Sequence, residues 1–81
     1  MTVTVLLFAS YADAVGSASL ELSLPSGATV SDLVASVREK GAGGRGLPPR
    51  PLVAVNREYA SYDHILGVGD EVALIPPVAG G

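Results

Sequence analysis

Few residues in this 81-residue sequence offer side-chain chemistry. There is one histidine, His64, beside Asp63, and there is no cysteine. A carboxylate next to an imidazole can orient a general base. The sequence indicates no serine or cysteine nucleophile for that base, however, and Asp63 is better suited to capping a turn, as short carboxylates do. Without cysteine there is no disulfide, no thiolate zinc site, no cysteine nucleophile and no side-chain persulfide. Glu21, Glu39, Glu58, Asp70 and Glu71 lack ligand-like spacing and read as solvated surface, so no metal site is expected.

Gly41-Ala42-Gly43-Gly44-Arg45-Gly46 satisfies the G-x-G-x-x-G spacing by which backbone N–H groups receive a pyrophosphate. Its context is wrong, because it follows a helical pattern instead of a strand and Pro48-Pro49 blocks the helix that should come next. It reads as a loop.

The remaining reactive group is the terminal carboxyl of Ile75-Pro76-Pro77-Val78-Ala79-Gly80-Gly81. Two prolines favour an extended, stiff exit from the preceding strand. Beyond them side-chain bulk falls to alanine and then to nothing, a profile suited to threading a narrow channel. Ordering a free residue costs about 1–2 kcal/mol, so prolines that restrict the unbound tail reduce what a partner must supply. An α-carboxylate is ionised at neutral pH and is a poor electrophile until activated. Adenylation by ATP turns it into a mixed anhydride that a sulfur donor can attack to give a thiocarboxylate, and glycine leaves that carbonyl unhindered. With no phosphate-binding loop in the chain, the activating enzyme must be a separate protein.

The elements that hold such a tail follow from periodicity. Thr2 to Phe8 is rich in β-branched and aliphatic residues, and Ser19 to Leu24 alternates Leu20, Leu22 and Leu24 with Ser19, Glu21 and Ser23. These are two strands, joined by one or two helical turns that Ser10 can cap and Gly16 ends. After Pro25-Ser26-Gly27, Thr29 stands at an N-cap with Asp32 three residues on, and Val30, Leu33, Val34 and Val37 make an apolar stripe. This main packing helix is expected to stop at Gly41. Residues 41–51 form a loop, Leu52 to Asn56 a strand, Asn56-Arg57-Glu58 a turn, and Glu71 to Ile75 a last strand that Pro76 and Pro77 end.

Strand, strand, helix, strand, strand predicts an α+β domain spanning 1–81, with a small mixed sheet, one main packing helix and an extended, flexible tail at 76–81. The β-grasp, or ubiquitin-like, arrangement fits, with the first and last strands side by side at the centre. Phe8, Tyr59 and Ile75 lie near strand ends. Each could pack in the core, but on a shared exposed face they would form an apolar partner patch.

Hydrophobic residues at 48% and charged residues at 16% indicate a globular chain. The net charge of −3 argues against nucleic acid and for a basic protein partner. No run approaches membrane-spanning length and the N-terminus runs straight into a strand pattern, so a cytoplasmic protein is expected.

The segments VTVLLFA, LPSGATVSDLV, LVAVNREYASYDHIL and GDEVALIPPVAGG resemble the MoaD/ThiS-like ubiquitin-fold sulfur carriers over essentially the whole chain. The last block is the most specific, and its double proline is similar to the molybdopterin branch. The resemblance implies that Gly81 bears the thiocarboxylate, that Pro76, Pro77, Val78, Ala79 and Gly80 lie in a large subunit's channel, and that Phe8, Tyr59 and Ile75 sit at the subunit interface. It implies three protein partners: an E1-like (MoeB-like) adenylating enzyme that uses ATP and Mg, a sulfur donor protein, and a MoaE-like large subunit. The large subunit would build a dithiolene from cyclic pyranopterin monophosphate, and this chain would bind no cofactor and perform no catalysis of its own. Two departures stand out: Ala12-Asp13 where many relatives carry Arg-Glu, and the glycine- and proline-rich 41–50 loop. The alternatives are a carrier for thiamine or tRNA thiolation, a protein modifier, and a ubiquitin-like binding module with an inert tail. A single lysine, Lys40, offers little for chain-forming conjugation.

Overall fold

The computed structural model describes residues 1–39 and 47–77. The glycine motif, the expected helix stop at Gly41 and the last four tail residues lie outside these. The alternation at the N-terminus becomes β1 (Thr2–Leu7), which buries Val3, Val5 and Leu7 and turns Thr2, Thr4 and Leu6 to the other face. β2 (Ser19–Ser23) pairs antiparallel with it, matching Val3 to Leu22, Val5 to Leu20 and Thr4 to Glu21. The Met1 amino group donates to the Leu24 carbonyl at 2.7 Å and closes the open end of this hairpin.

Between the two strands lies α1 (Ala9–Val15). Its start corrects the expected cap. Phe8, in extended conformation and without a side-chain cap, holds the N-cap position, and its carbonyl receives the Tyr11 and Ala12 amides at 3.0 and 3.4 Å. Ser10 falls inside the helix because Ala9 has already turned the chain with a left-handed φ of 47°. That early turn carries Tyr11 inward to the core. The helix does end at Gly16, whose φ of 89° needs no Cβ-bearing residue to bear the strain.

α2 (Val30–Arg38) starts from the expected N-cap. The Thr29 hydroxyl accepts the Asp32 amide at 3.3 Å and the Asp32 carboxylate accepts the Thr29 amide at 2.9 Å, a reciprocal capping box. Val30, Leu33, Val34 and Val37 are all buried against the sheet, each contributing roughly 1.5–3 kcal/mol of burial before entropy is counted. The Val30 and Ser31 amides donate to the His64 and Tyr62 carbonyls at 3.0 and 3.1 Å, which ties the 62–64 segment across the helix start.

β3 (Leu52–Val55) and β4 (Glu58–Tyr59) form a hairpin closed by Asn56 and Arg57, at φ 50° and 72°. Two consecutive left-handed residues are the mark of a type I′ turn. The sequence pattern had only a turn here, because a two-residue strand is too short to show alternation. β5 (Glu71–Ile75) runs parallel to β1 and antiparallel to β3. The sheet order is therefore β2-β1-β5-β3-β4, the ubiquitin-like β-grasp, with the first and last strands adjacent. A single core fills the space between the inner sheet face and α2, completed by Tyr11, Leu47 and Leu66.

Candidate functional site

Strand register decides which residues share the uncovered outer face. In β1, β3 and β5 the core-facing residues are Val3, Val5, Leu7, Val53, Val55, Val72 and Leu74, so the opposite parity faces outward, where the small Ala54 is nonetheless buried. Leu52 pairs with Ile75, and Phe8 follows Leu7, the partner of Leu74, so Phe8, Ile75 and Leu52 fall in one cross-strand row. The neighbouring row runs Leu6, Ala73, Ala54, Tyr59. Phe8 is 48% exposed, Leu52 51% and Tyr59 74%, while Ile75 is half-buried. These rows make an apolar patch at the C-terminal end of β5, where Pro76 and Pro77 leave the sheet. Phe8, Tyr59 and Ile75 thus share an exposed face instead of filling the core.

At the foot of the tail the patch folds into a cleft of about 360 Å³, lined by Tyr11, Pro48, Arg50, Leu52, Ile75 and Pro77 among others. Arg50 stacks its guanidinium 4.2 Å from the centre of the Tyr62 ring, a cation–π contact that fixes one positive charge beside the tail. The Tyr62 hydroxyl donates to the Pro51 carbonyl and holds the strand entry in place. Burial pushes the Tyr62 phenol up, partly offset by the Arg50 cation, and burial alone pushes up Tyr11. Both remain neutral at physiological pH.

The side-chain candidates do not converge. Asp63 and His64 are both exposed, and the His64 backbone serves the start of α2. Among the described residues no group of three His, Cys, Asp or Glu could hold a metal ion. Asp70 departs from the expected free surface: it accepts the Gly67 amide at 2.7 Å and the Asn56 side-chain amide at 2.9 Å. Those two bonds, the Gly67 one foremost, hold its carboxyl below the usual carboxylate range. They brace the turn before β5 and are structural.

Pro76 is half-buried and Pro77 exposed, whereas the assignments to Val78, Ala79, Gly80 and Gly81 fall outside the described residues. Sequence reasoning missed Leu52, Leu6 and Arg50. Parity in LVAV could have shown that Leu52 and Ala54 face away from Val53 and Val55. Nothing local marks Arg50. No helix among the described residues is long and apolar enough to cross a membrane.

The model of the ThiS family matches residues 5–81. A molybdopterin synthase sulfur carrier subunit of Dictyostelium discoideum is 34% identical over 95% of this chain and 93% of its own length. The Arabidopsis thaliana protein of the same description is 33% identical over 98% of this chain and 82% of its own. Among solved structures, SAMP1 from Haloferax volcanii superposes with a TM-score of 0.87 at 28% identity, covering all of both chains. A chain of the complex of subunits 1 and 2 of molybdopterin-converting factor from Helicobacter pylori has the same fold, with a TM-score of 0.73, 24% identity and full coverage of both chains.

Proposed function

The chain belongs to the ThiS family, and from that premise we propose that it is the sulfur carrier subunit of a molybdopterin synthase. The observation that carries this is the 34% identity with a molybdopterin synthase sulfur carrier subunit over 93% of that protein's length. The family match that runs through to Gly81 supports it. Gly81 is the residue whose carboxyl is charged. A separate E1-like enzyme, using ATP and Mg, converts that carboxylate to an acyl-adenylate with release of pyrophosphate. The terminal sulfur of a donor protein's persulfide then displaces AMP to give an acyl disulfide, and a second thiol cleaves its S–S bond, releasing the thiocarboxylate and leaving the donor and that thiol joined as a disulfide. The large subunit consumes that sulfur in building the dithiolene from cyclic pyranopterin monophosphate, and it supplies the catalysis.

Each part of the chain has a role in this scheme. The apolar patch of Phe8, Leu52, Tyr59 and Ile75 docks the large subunit, and its place at the end of β5 puts the docked surface beside the emerging tail. Pro76 and Pro77 stiffen the exit from β5, and in this scheme Val78, Ala79, Gly80 and Gly81 occupy the partner's channel.

Intact mass spectrometry tests the reading. After incubation with the cognate adenylating enzyme, ATP, Mg and a sulfur source, the chain should gain the mass difference of one oxygen replaced by sulfur. Deleting Gly81 should abolish this without unfolding the domain. An unchanged mass under conditions that charge a known carrier refutes it. The 0.87 superposition on SAMP1, whose kin are described as small archaeal modifier proteins, favours a second reading as a protein modifier. Activation would be shared, but the product would be an isopeptide bond to a lysine, visible as a higher-mass adduct resistant to thiols.

A further inference from the structure

The outer sheet face is chemically divided along its strands. Its apolar rows lie toward the tail. One row further from the tail the pattern changes: Thr4 is flanked by Glu21 on β2 and by Glu71 on β5. All three point outward, since Val3, Val5, Leu22 and Val72 on either side of them are buried. With adjacent strands about 4.8 Å apart, the two glutamates stand roughly 10 Å apart at the backbone with a small hydroxyl side chain between them. From Glu71 to Ile75 is four residues, roughly 13 Å along the strand.

Among the described residues neither carboxylate makes a hydrogen bond within the fold. Among the described residues, the Glu71 hydrogen bonds to Asn56 run through its backbone, and Glu21 makes no side-chain hydrogen bond. Their charge on an open face adjoining an apolar patch is what a complementary cation would recognise.

We propose that the partner covering this face seats one basic side chain, lysine or arginine, over Thr4 between Glu21 and Glu71. This rests on the reading of the apolar rows as the large-subunit docking surface, and it adds the partner's charge and its orientation. The apolar rows supply contact area without direction. The carboxylate row lies at the end of the face away from the tail, so a cation engaged there fixes which way the partner sits.

The experiment is association kinetics of the intact chain with the cognate large subunit at low and high salt. Glu21→Gln/Glu71→Gln should slow association about tenfold at low salt, within the range electrostatic steering covers. The difference from wild type should vanish near molar salt, where screening acts within about 3 Å. Glu21→Lys/Glu71→Lys should slow it further and lose the accelerating effect of low salt, and charge reversal of the partner's cation should restore the rate. If wild type binds but the glutamine variant associates equally fast at every salt concentration, the carboxylate row is irrelevant and the apolar docking reading stands alone. If the wild-type chain does not bind the large subunit at all, the docking reading fails and the proposal falls with it. Thermal melting of both variants shows whether they are folded, which these outward positions on β2 and β5 permit.

Discussion

Replacing Tyr59 with alanine separates docking from folding more cleanly than any other change on the outer face. The side chain is 74% exposed in the free chain, so little of it supports the fold. Its main intramolecular contact is the cross-strand position opposite Ala54, and such pairs are worth roughly 0.2–1 kcal/mol. Binding is a different matter. An aromatic side chain buries about 150–250 Å² when covered, so about three quarters of that, roughly 110–190 Å², is still available. At about 25 cal/mol per Å² this gives roughly 3–5 kcal/mol as a ceiling. If the partner covers half of what remains, the loss is about 1.5–2.5 kcal/mol, or roughly 10- to 70-fold in Kd. Isothermal titration of the cognate large subunit into wild type and Tyr59→Ala measures that ratio, with urea denaturation of each chain as the control for folding. A folded variant whose Kd stays within about twofold of wild type would show that the outer face is not the docking surface, whatever the fate of the tail.

Two further outcomes follow from local chemistry. Thr29→Ala should cost about 1 kcal/mol in urea denaturation, and adding Asp32→Ala should cost less than it does alone, because the two side chains form one reciprocal box. Asp70 has its folded-state carboxyl pKa lowered from an ordinary value of 3.8. Its contribution is therefore fully present above the ordinary carboxylate range and is lost as pH falls through the lower folded value. Solvent screening keeps that contribution small. Acid unfolding of Asp70→Asn should lack this part of the pH dependence, and an unchanged acid profile would mean that the Gly67 and Asn56 bonds do not bias the ionised form.

The legible parts of the fold are those with enough residues to show a period. α2 could be placed from Thr29 onward because four apolar positions repeat at helical spacing, and β5 could be bounded because Gly69-Asp70 precedes it and Pro76-Pro77 ends it. β4 escaped, since two residues carry no period and the turn before it uses Asn56 and Arg57 instead of glycine. The Phe8 cap escaped for another reason: nothing in the letters signals that Ala9 will turn left-handed ahead of Ser10. At the candidate site, Phe8, Tyr59 and Ile75 were recognisable as strand-end apolar residues. Whether they were core or surface depended on register between strands distant in sequence, which fixes Leu52 against Ile75. Arg50 and its cleft depend on the path of a proline-rich segment, and composition alone does not set a path.

The pairing of β5 between β1 and β3 has a consequence for the order in which the chain can fold. Synthesis delivers β1, β2, α2 and β3 first, yet β1 and β3 have no contact in the sheet except through the strand made last. Until Glu71–Ile75 emerges, β1 and β3 have no common neighbour, and completion of the sheet must wait for a contact that spans nearly the entire sequence. A chain interrupted before that strand lacks the centre of its sheet and is exposed to proteolysis. Since Pro76 and Pro77 follow directly on the same strand, the step that completes the core also fixes the point from which the tail departs.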